Sequence, residues 1–133
     1  MNGLEKEFIP YEQALSLKEL GFCEPCFGYY YTTNGKDWQF AEKSEYYRLD
    51  DEINIGPSFS LLAPLYQQAF KFFRDKHNLD SWIYCPDESK GYFAIILKHK
   101  RFVSYHENFD TYEEAELACL NKLIEIVKNG NKS

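Results

Sequence analysis

Cys23-Glu24-Pro25-Cys26 is a CxxC, the spacing shared by redox dithiols and by half of a zinc site. Redox chemistry needs a helix N-terminus to lower the pKa of the first thiol. Here the motif follows a helix end and leads into a strand, so the activating dipole is missing. Zinc needs two further thiolates or imidazoles, for which Cys85, His99, His106 and Cys119 are the available types. Cys119 falls on an apolar helical face, where a thiol acts as a small hydrophobe. With no second CxxC and no paired histidines, structural or incidental cysteines are expected, and an intracellular setting argues against disulfides. His77 falls at a helix end, where positive charge suits the carbonyl terminus. No HExxH, GxSxG, GxGxxG or P-loop string occurs among these residues. A cysteine hydrolase built from Cys26 or Cys85 with His106 and Asp110 rests on residue type alone. Asp50-Asp51-Glu52 lacks the spaced oxygens and the Gly of a calcium loop and reads as a solvated charge run. The expectation is a protein without catalytic residues, cofactor or metal.

The elements that position these residues follow from periodicity. Pro10, then YEQALSLKEL, then Gly21 predicts a helix over 10–20, since Pro suits a first helical turn and Gly the residue past a helix end. Asn34-Gly35 between two β-rich runs predicts a two-residue hairpin. That turn sets Thr33 against Lys36, Tyr31 against Trp38 and Tyr29 against Phe40, with the four rings on one sheet face. Residues 41–60, with five acids, two bases and Gly56-Pro57, read as a long loop or irregular strand. In APLYQQAFKFFRDKHN the residues Leu65, Tyr66, Ala69, Phe70, Phe72 and Phe73 share one helical face. DSWIY, GYFAIILK and RFVSYHE predict an antiparallel meander, interrupted by CPDESK and by a basic tip of Lys98, His99, Lys100 and Arg101. Thr111 and Glu114 have capping-box spacing, and a helix is expected over 112–128 with a wide apolar arc from Tyr112 to Val127. The fold class is therefore α+β: helix, β-hairpin, helix, three-stranded antiparallel meander, and a C-terminal helix packed on the sheet, in a single domain over 1–133.

Composition bounds what such a fold can do. A chain of 133 residues with 44% hydrophobic and 27% charged residues buries a core of its own. No apolar run approaches the roughly 18 residues of a membrane span, and MNGLEKEF has no hydrophobic stretch like a secretion signal, so a cytoplasmic location without membrane attachment is expected. The net charge of -6 is uneven. Residues 1–63 carry eleven acids and five bases, residues 64–109 five acids and seven bases, and residues 110–133 five acids and three bases. Only the middle segment is mildly basic, and long-range attraction of the whole molecule to phosphate backbones is not expected.

Twenty-four residues are Phe, Tyr or Trp. Phe70, Phe72, Phe73, Phe93, Phe102 and Tyr112 fall on periodic faces and read as core. Tyr29, Tyr31, Trp38 and Phe40 on the hairpin, with Tyr46 and Tyr47 in the acidic loop, form the candidate interaction surface. Lys90, Lys98, Lys100 and Arg101 are the candidate nucleic-acid contacts. Three stretches, FIPYEQALSLKELGF with Cys26 shortly after, APLYQQAFKFFRDKHNLDSWI and TYEEAELACLNKLIEIV, resemble a group of small uncharacterised proteins encoded in bacterial and bacteriophage genomes. The group has no assigned activity. The resemblance covers about two thirds of the chain, leaves out residues 32–60, and implies a phage or mobile-element accessory protein without assigning site residues. The order αβββα is also similar to that of double-stranded RNA-binding domains, and the strands with the last helix resemble the three-stranded DNA-binding modules of phage integrases. Where the RNA-binding family carries lysines, at the start of the last helix, this chain has Tyr112-Glu113-Glu114-Ala115-Glu116. The expected function is a non-catalytic protein-interaction or regulatory protein, such as an inhibitor of a host system. The alternative is a weak nucleic-acid-binding module of αβββα type.

Overall fold

The computed structural model describes residues 6–24, 26–32, 34, 36–47 and 59–130. The fold is α+β, and its contacts divide the chain into two compact units, Met1–Ala69 and Phe70–Ser133. Each unit carries a three-stranded antiparallel sheet.

In the first unit, α1 (Tyr11–Glu19) begins after an extended Pro10 and ends at Leu20. Gly21 follows at φ 101°, a left-handed conformation that glycine adopts without penalty. Its N–H donates to the Lys18 carbonyl and that of Phe22 to the Leu17 carbonyl, the paired bonds that close a helix C-terminus. β1 (Cys26–Thr32) lies between β2 (Gln39–Tyr47) and β3 (Phe59–Ala63). Burial alternates along β1: Cys26, Gly28, Tyr30 and Thr32 are buried, while Phe27, Tyr29 and Tyr31 are half-exposed. The Tyr30 hydroxyl donates to the Ile9 carbonyl at 2.7 Å, and the Ile9 N–H donates to the Pro64 carbonyl at 2.9 Å. The segment before α1 is thereby tied to the sheet, and Phe8 forms a bridge with Leu65. Gly28 lies beneath the Phe8 and Phe40 rings, whose centroids are 4.9 Å apart.

The hairpin differs from the sequence expectation by one residue. Tyr31 pairs with Gln39, Tyr30 with Phe40 and Tyr29 with Ala41, not Tyr31 with Trp38 and Tyr29 with Phe40. A one-residue slip moves a strand's side chains to the opposite face, so the four rings do not share one. The connection is longer than two residues because the Asn34 side chain organises it. Its Oδ1 accepts from the backbone N–H of Lys36 and Asp37 and from the Thr32 hydroxyl, and its amide donates to Asp37. The stretch expected as a long loop or irregular strand is also more regular. Residues 41–47 continue β2, and β3 begins at Phe59, while residues 48–58, with Asp50-Asp51-Glu52, lie outside the described residues.

α2 (Tyr66–His77) runs from the first unit into the second. In the second unit β4 (Leu79–Asp87), a 3-10 turn (Glu88–Lys90), β5 (Gly91–Lys98) and β6 (Arg101–Phe109) form the expected meander, in the order β4-β5-β6. α3 (Tyr112–Gly130) then packs on the sheet. The Thr111 hydroxyl accepts from the Glu114 N–H at 3.1 Å and opens α3. Ala115, Cys119, Leu120, Leu123, Ile124 and Val127 are its buried face.

A methyl group on Gly28 would sit 2.8 Å from the Phe8 ring and 2.9 Å from that of Phe40. Gly28→Ala is expected to destabilise the chain by about 1–3 kcal/mol through overpacking, read as a lower urea midpoint. Gly130→Ala, where the added carbon meets open space, leaves the midpoint unchanged or raised.

Candidate functional site

The register of the second sheet decides which side chains α3 covers. Leu79 pairs with Lys98, Ser81 with Ile96 and Ile83 with Ala94, and Ile96 pairs with Ser104. This is the face under α3. The Cys119 thiol meets Ser81, the Tyr92 and Tyr112 rings meet at 5.9 Å, and Leu79, Lys98, Ile126 and Val127 line one cleft. Ala94, Ile96 and Ser104 are buried there.

The opposite face carries Asp80, Trp82 and Tyr84 from β4, Phe93, Ile95 and Leu97 from β5, and Phe102 from β6. Its covering is graded. Phe93 is buried, with the Tyr84 ring 5.4 Å away, and Ile95 and Leu97 are half-buried. Trp82 is 52% exposed, Tyr84 38% and Phe102 62%. Phe102 and Trp82 flank the half-buried Leu97 and Ile95 in register. Phe102 and Tyr112, expected as core, are therefore surface residues. A sheet face of three strands needs a second layer to bury both sides, and α3 supplies it to one side.

The open part of this face adjoins the β5–β6 turn. His99 and Lys100 occupy that turn at φ 51° and 66°, the pair of left-handed positions that a type I′ turn requires and that Asn-Gly ordinarily fills. Lys98, His99, Lys100 and Arg101 are all exposed. Leu79 pairing with Lys98 brings the end of α2, with Arg74, Lys76 and His77, to the same edge. The cleft of about 200 Å³ lined by His77, Leu79, Lys98, Ile126, Val127 and Gly130 brings the end of α3, with Lys128, there too. Asp110, Glu113 and Glu114 lie at the opposite end, where Tyr112 meets Tyr92. The unit is polarised along β5, acidic at one end and basic at the other. Lys90 sits before β5 and is exposed, so the structure separates it by the length of that strand from the other three candidate nucleic-acid contacts.

His77 closes the cleft with its ring against Phe72 and Phe73. Its Nε2 is enclosed and has no hydrogen-bond partner among the described residues. Burial first, and the nearby Lys98 ammonium second, hold its pKa below the usual imidazole value. Both disfavour the imidazolium, against the positive charge that suits a helix end.

The candidate interaction surface of the first unit is dispersed. Tyr29 and Tyr31 lie on the half-exposed face of β1 with rings 5.8 Å apart, and the Tyr31 hydroxyl donates to Gln39. Phe40 lies on the other side with Tyr30 and Phe8. Trp38 stacks on Tyr11 of α1 at 4.6 Å. Tyr46 and Tyr47 belong to β2, and their side chains lie outside the described residues.

Among the described residues no three His, Cys, Asp or Glu side chains converge as metal ligands, and no helix is long and apolar enough to cross a membrane. Cys26 is buried at the start of β1, and burial with the Glu24 carboxylate pushes its thiol up to about 12. Burial likewise pushes Cys119 up to about 11, with the Glu116 carboxylate adding to it and the hydrogen bond to Ser81 opposing. Cys23 and Cys85 are exposed, and the Cys85 thiol lies 3.6 Å from the Asp87 carbonyl. Asp110 is exposed, and the His106 side chain lies outside the described residues.

No protein-family model matches the chain, and neither a curated protein nor a solved structure matches it. Trp82, Phe102, Lys76 and Lys128 were not singled out from sequence as contact residues. The available signal was α3's unbroken apolar arc meeting the small residues Ser81, Ala94 and Ser104, which marks the covered face and so leaves the alternate residues Trp82 and Tyr84 outside.

A disulfide reagent applied to the native protein at about pH 8, near the ordinary thiol pKa, is expected to label Cys23 and Cys85 rapidly. Cys26 and Cys119 react only after denaturant is added, because each is both buried and held as the thiol. Rapid labelling of Cys26 would contradict its place in the first core.

Proposed function

We propose that this chain is a non-catalytic binding module whose contact surface is the open face of the β4-β5-β6 sheet. The observation that carries the reading is the exposure on one face of Trp82 and Tyr84 from β4 and of Phe102 from β6, flanking half-buried Ile95 and Leu97 of β5. Grouped exposed rings of this kind on a folded domain mark contact surfaces, and aromatic residues are the side chains that contribute most when such surfaces are covered. The two buried thiols, held as thiols, support binding rather than catalysis by them. A regulatory role in a phage or mobile element is the setting that the sequence resemblance supports. Such a role requires a surface, not a reaction.

The test is site-specific photocrosslinking. A benzophenone amino acid in place of Phe102, in protein expressed in its own cell, is expected to give discrete adducts. The same group in place of Glu125, exposed on α3, gives none. Absence of adducts from position 102, or an equal yield from both positions, would contradict the assignment of the face.

A further inference from the structure

We propose that the open sheet face and the basic end beside it form a binding site for single-stranded nucleic acid, with bases stacked on Trp82 and Phe102 and phosphates held at the β5–β6 turn. This inference rests on the reading of that face as the contact surface and names the class of partner it takes. Three observations converge on it.

The first is the arrangement of charge. Arg74 and Lys76 near the end of α2, Lys98, Lys100 and Arg101 at the turn, and Lys128 near the end of α3 come together at one edge of the unit. The ion pairs recorded in this unit, Lys71 with Asp75 and Lys122 with Glu125, use none of the six. A cluster of cations outside the ion pairs of the described residues fits a polyanion. The second is the turn itself. His99 and Lys100 are held at φ 51° and 66°, where side chains other than Gly or Asn carry a conformational cost. Retaining a lysine at such a position projects its charge from the tip, and strain of this kind is a pointer to function. The third is the character of the apolar surface. Its most exposed rings are Phe102 at the cationic end of the face and Trp82 at its middle, while toward the other end Tyr84 is less exposed and Phe93 is buried. Flat rings beside cations suit stacked bases with phosphates alongside. A duplex hides its base faces, so the single-stranded form is the one this surface recognises.

Asp80 stands on the same face, half-buried opposite Leu97. Its carboxylate opposes a polyanion, and the acids at the far end keep contact to the tip and open face. The net charge of -6 gives no long-range steering, so attraction is short-ranged.

Fluorescence anisotropy of labelled oligo-dT and oligo-rU of about twelve nucleotides, within the range one small domain engages, tests this at about 50 mM and about 200 mM salt. Both oligonucleotides are expected to bind at the lower salt and weaken at the higher. Phe102→Ala and Trp82→Ala each weaken binding by roughly tenfold. Lys100→Gly relieves the turn, so the variant folds at least as stably, yet it binds less tightly and lowers the salt slope by about 0.7. Asp80→Asn tightens binding. Four results would overturn the proposal: no binding at the lower salt, binding insensitive to Trp82 and Phe102, preference for a duplex of the same length, or concentration-dependent self-association abolished by Phe102→Ala. Crosslinks from position 102 that prove to be protein would overturn the nucleic-acid assignment while leaving the face as the contact surface.

Discussion

α3 lies along one face of the β4-β5-β6 sheet, and the consequences of that single layer run through the second unit. Its buried arc, from Ala115 to Val127, meets a sheet face of small and aliphatic residues, Ser81, Ala94, Ile96 and Ser104. Because strand side chains alternate, filling that face with small residues sends the bulky ones, Trp82, Tyr84 and Phe102, to the other. Core packing and the exposed aromatic face are thus set by the same register. A shift of one residue would bury the rings and expose the small residues.

The same helix sets the electrostatics. α3 carries Glu113 and Glu114 in its first turn and Lys128 in its last, the distribution that complements a helix dipole. The bases of α2's last turn, Arg74, Lys76 and His77, follow the same rule. With both helix C-termini beside the β5–β6 turn, charges that stabilise helices also accumulate at one edge of the sheet. His77 is the exception in detail, since burial and the neighbouring Lys98 lower its pKa and disfavour its charged form.

Helix and meander were legible from sequence because their periods are strong. α1, α2 and α3 fall where Pro10, the Phe70–Phe73 cluster and Thr111 place them, and the three strands of the meander pair in sequence order. The hairpin register was not legible, because Asn34-Gly35 reads as a two-residue turn whereas the Asn34 side chain closes a longer loop by accepting three hydrogen bonds. β3 was missed because it pairs with β1 across more than two dozen intervening residues, a contact that no local pattern announces. The exposure of Phe102 was not legible for a related reason. Phe102 is as apolar as any core residue, and its exposure depends on which face α3 chooses. Lys90 and the basic tip are close in composition but lie at opposite ends of β5, a separation that sequence distance alone understates.

The account stands on Trp82 facing solvent beside a cationic edge. Trp38 stacks on Tyr11 in the first unit, so a Trp38→Phe variant leaves Trp82 as the sole indole. Its fluorescence, titrated with iodide and with caesium, is the most direct measurement. The account predicts long-wavelength emission quenched readily by both ions and more strongly by iodide, which the neighbouring cations attract. Short-wavelength emission shielded from both quenchers would show Trp82 covered and would contradict it.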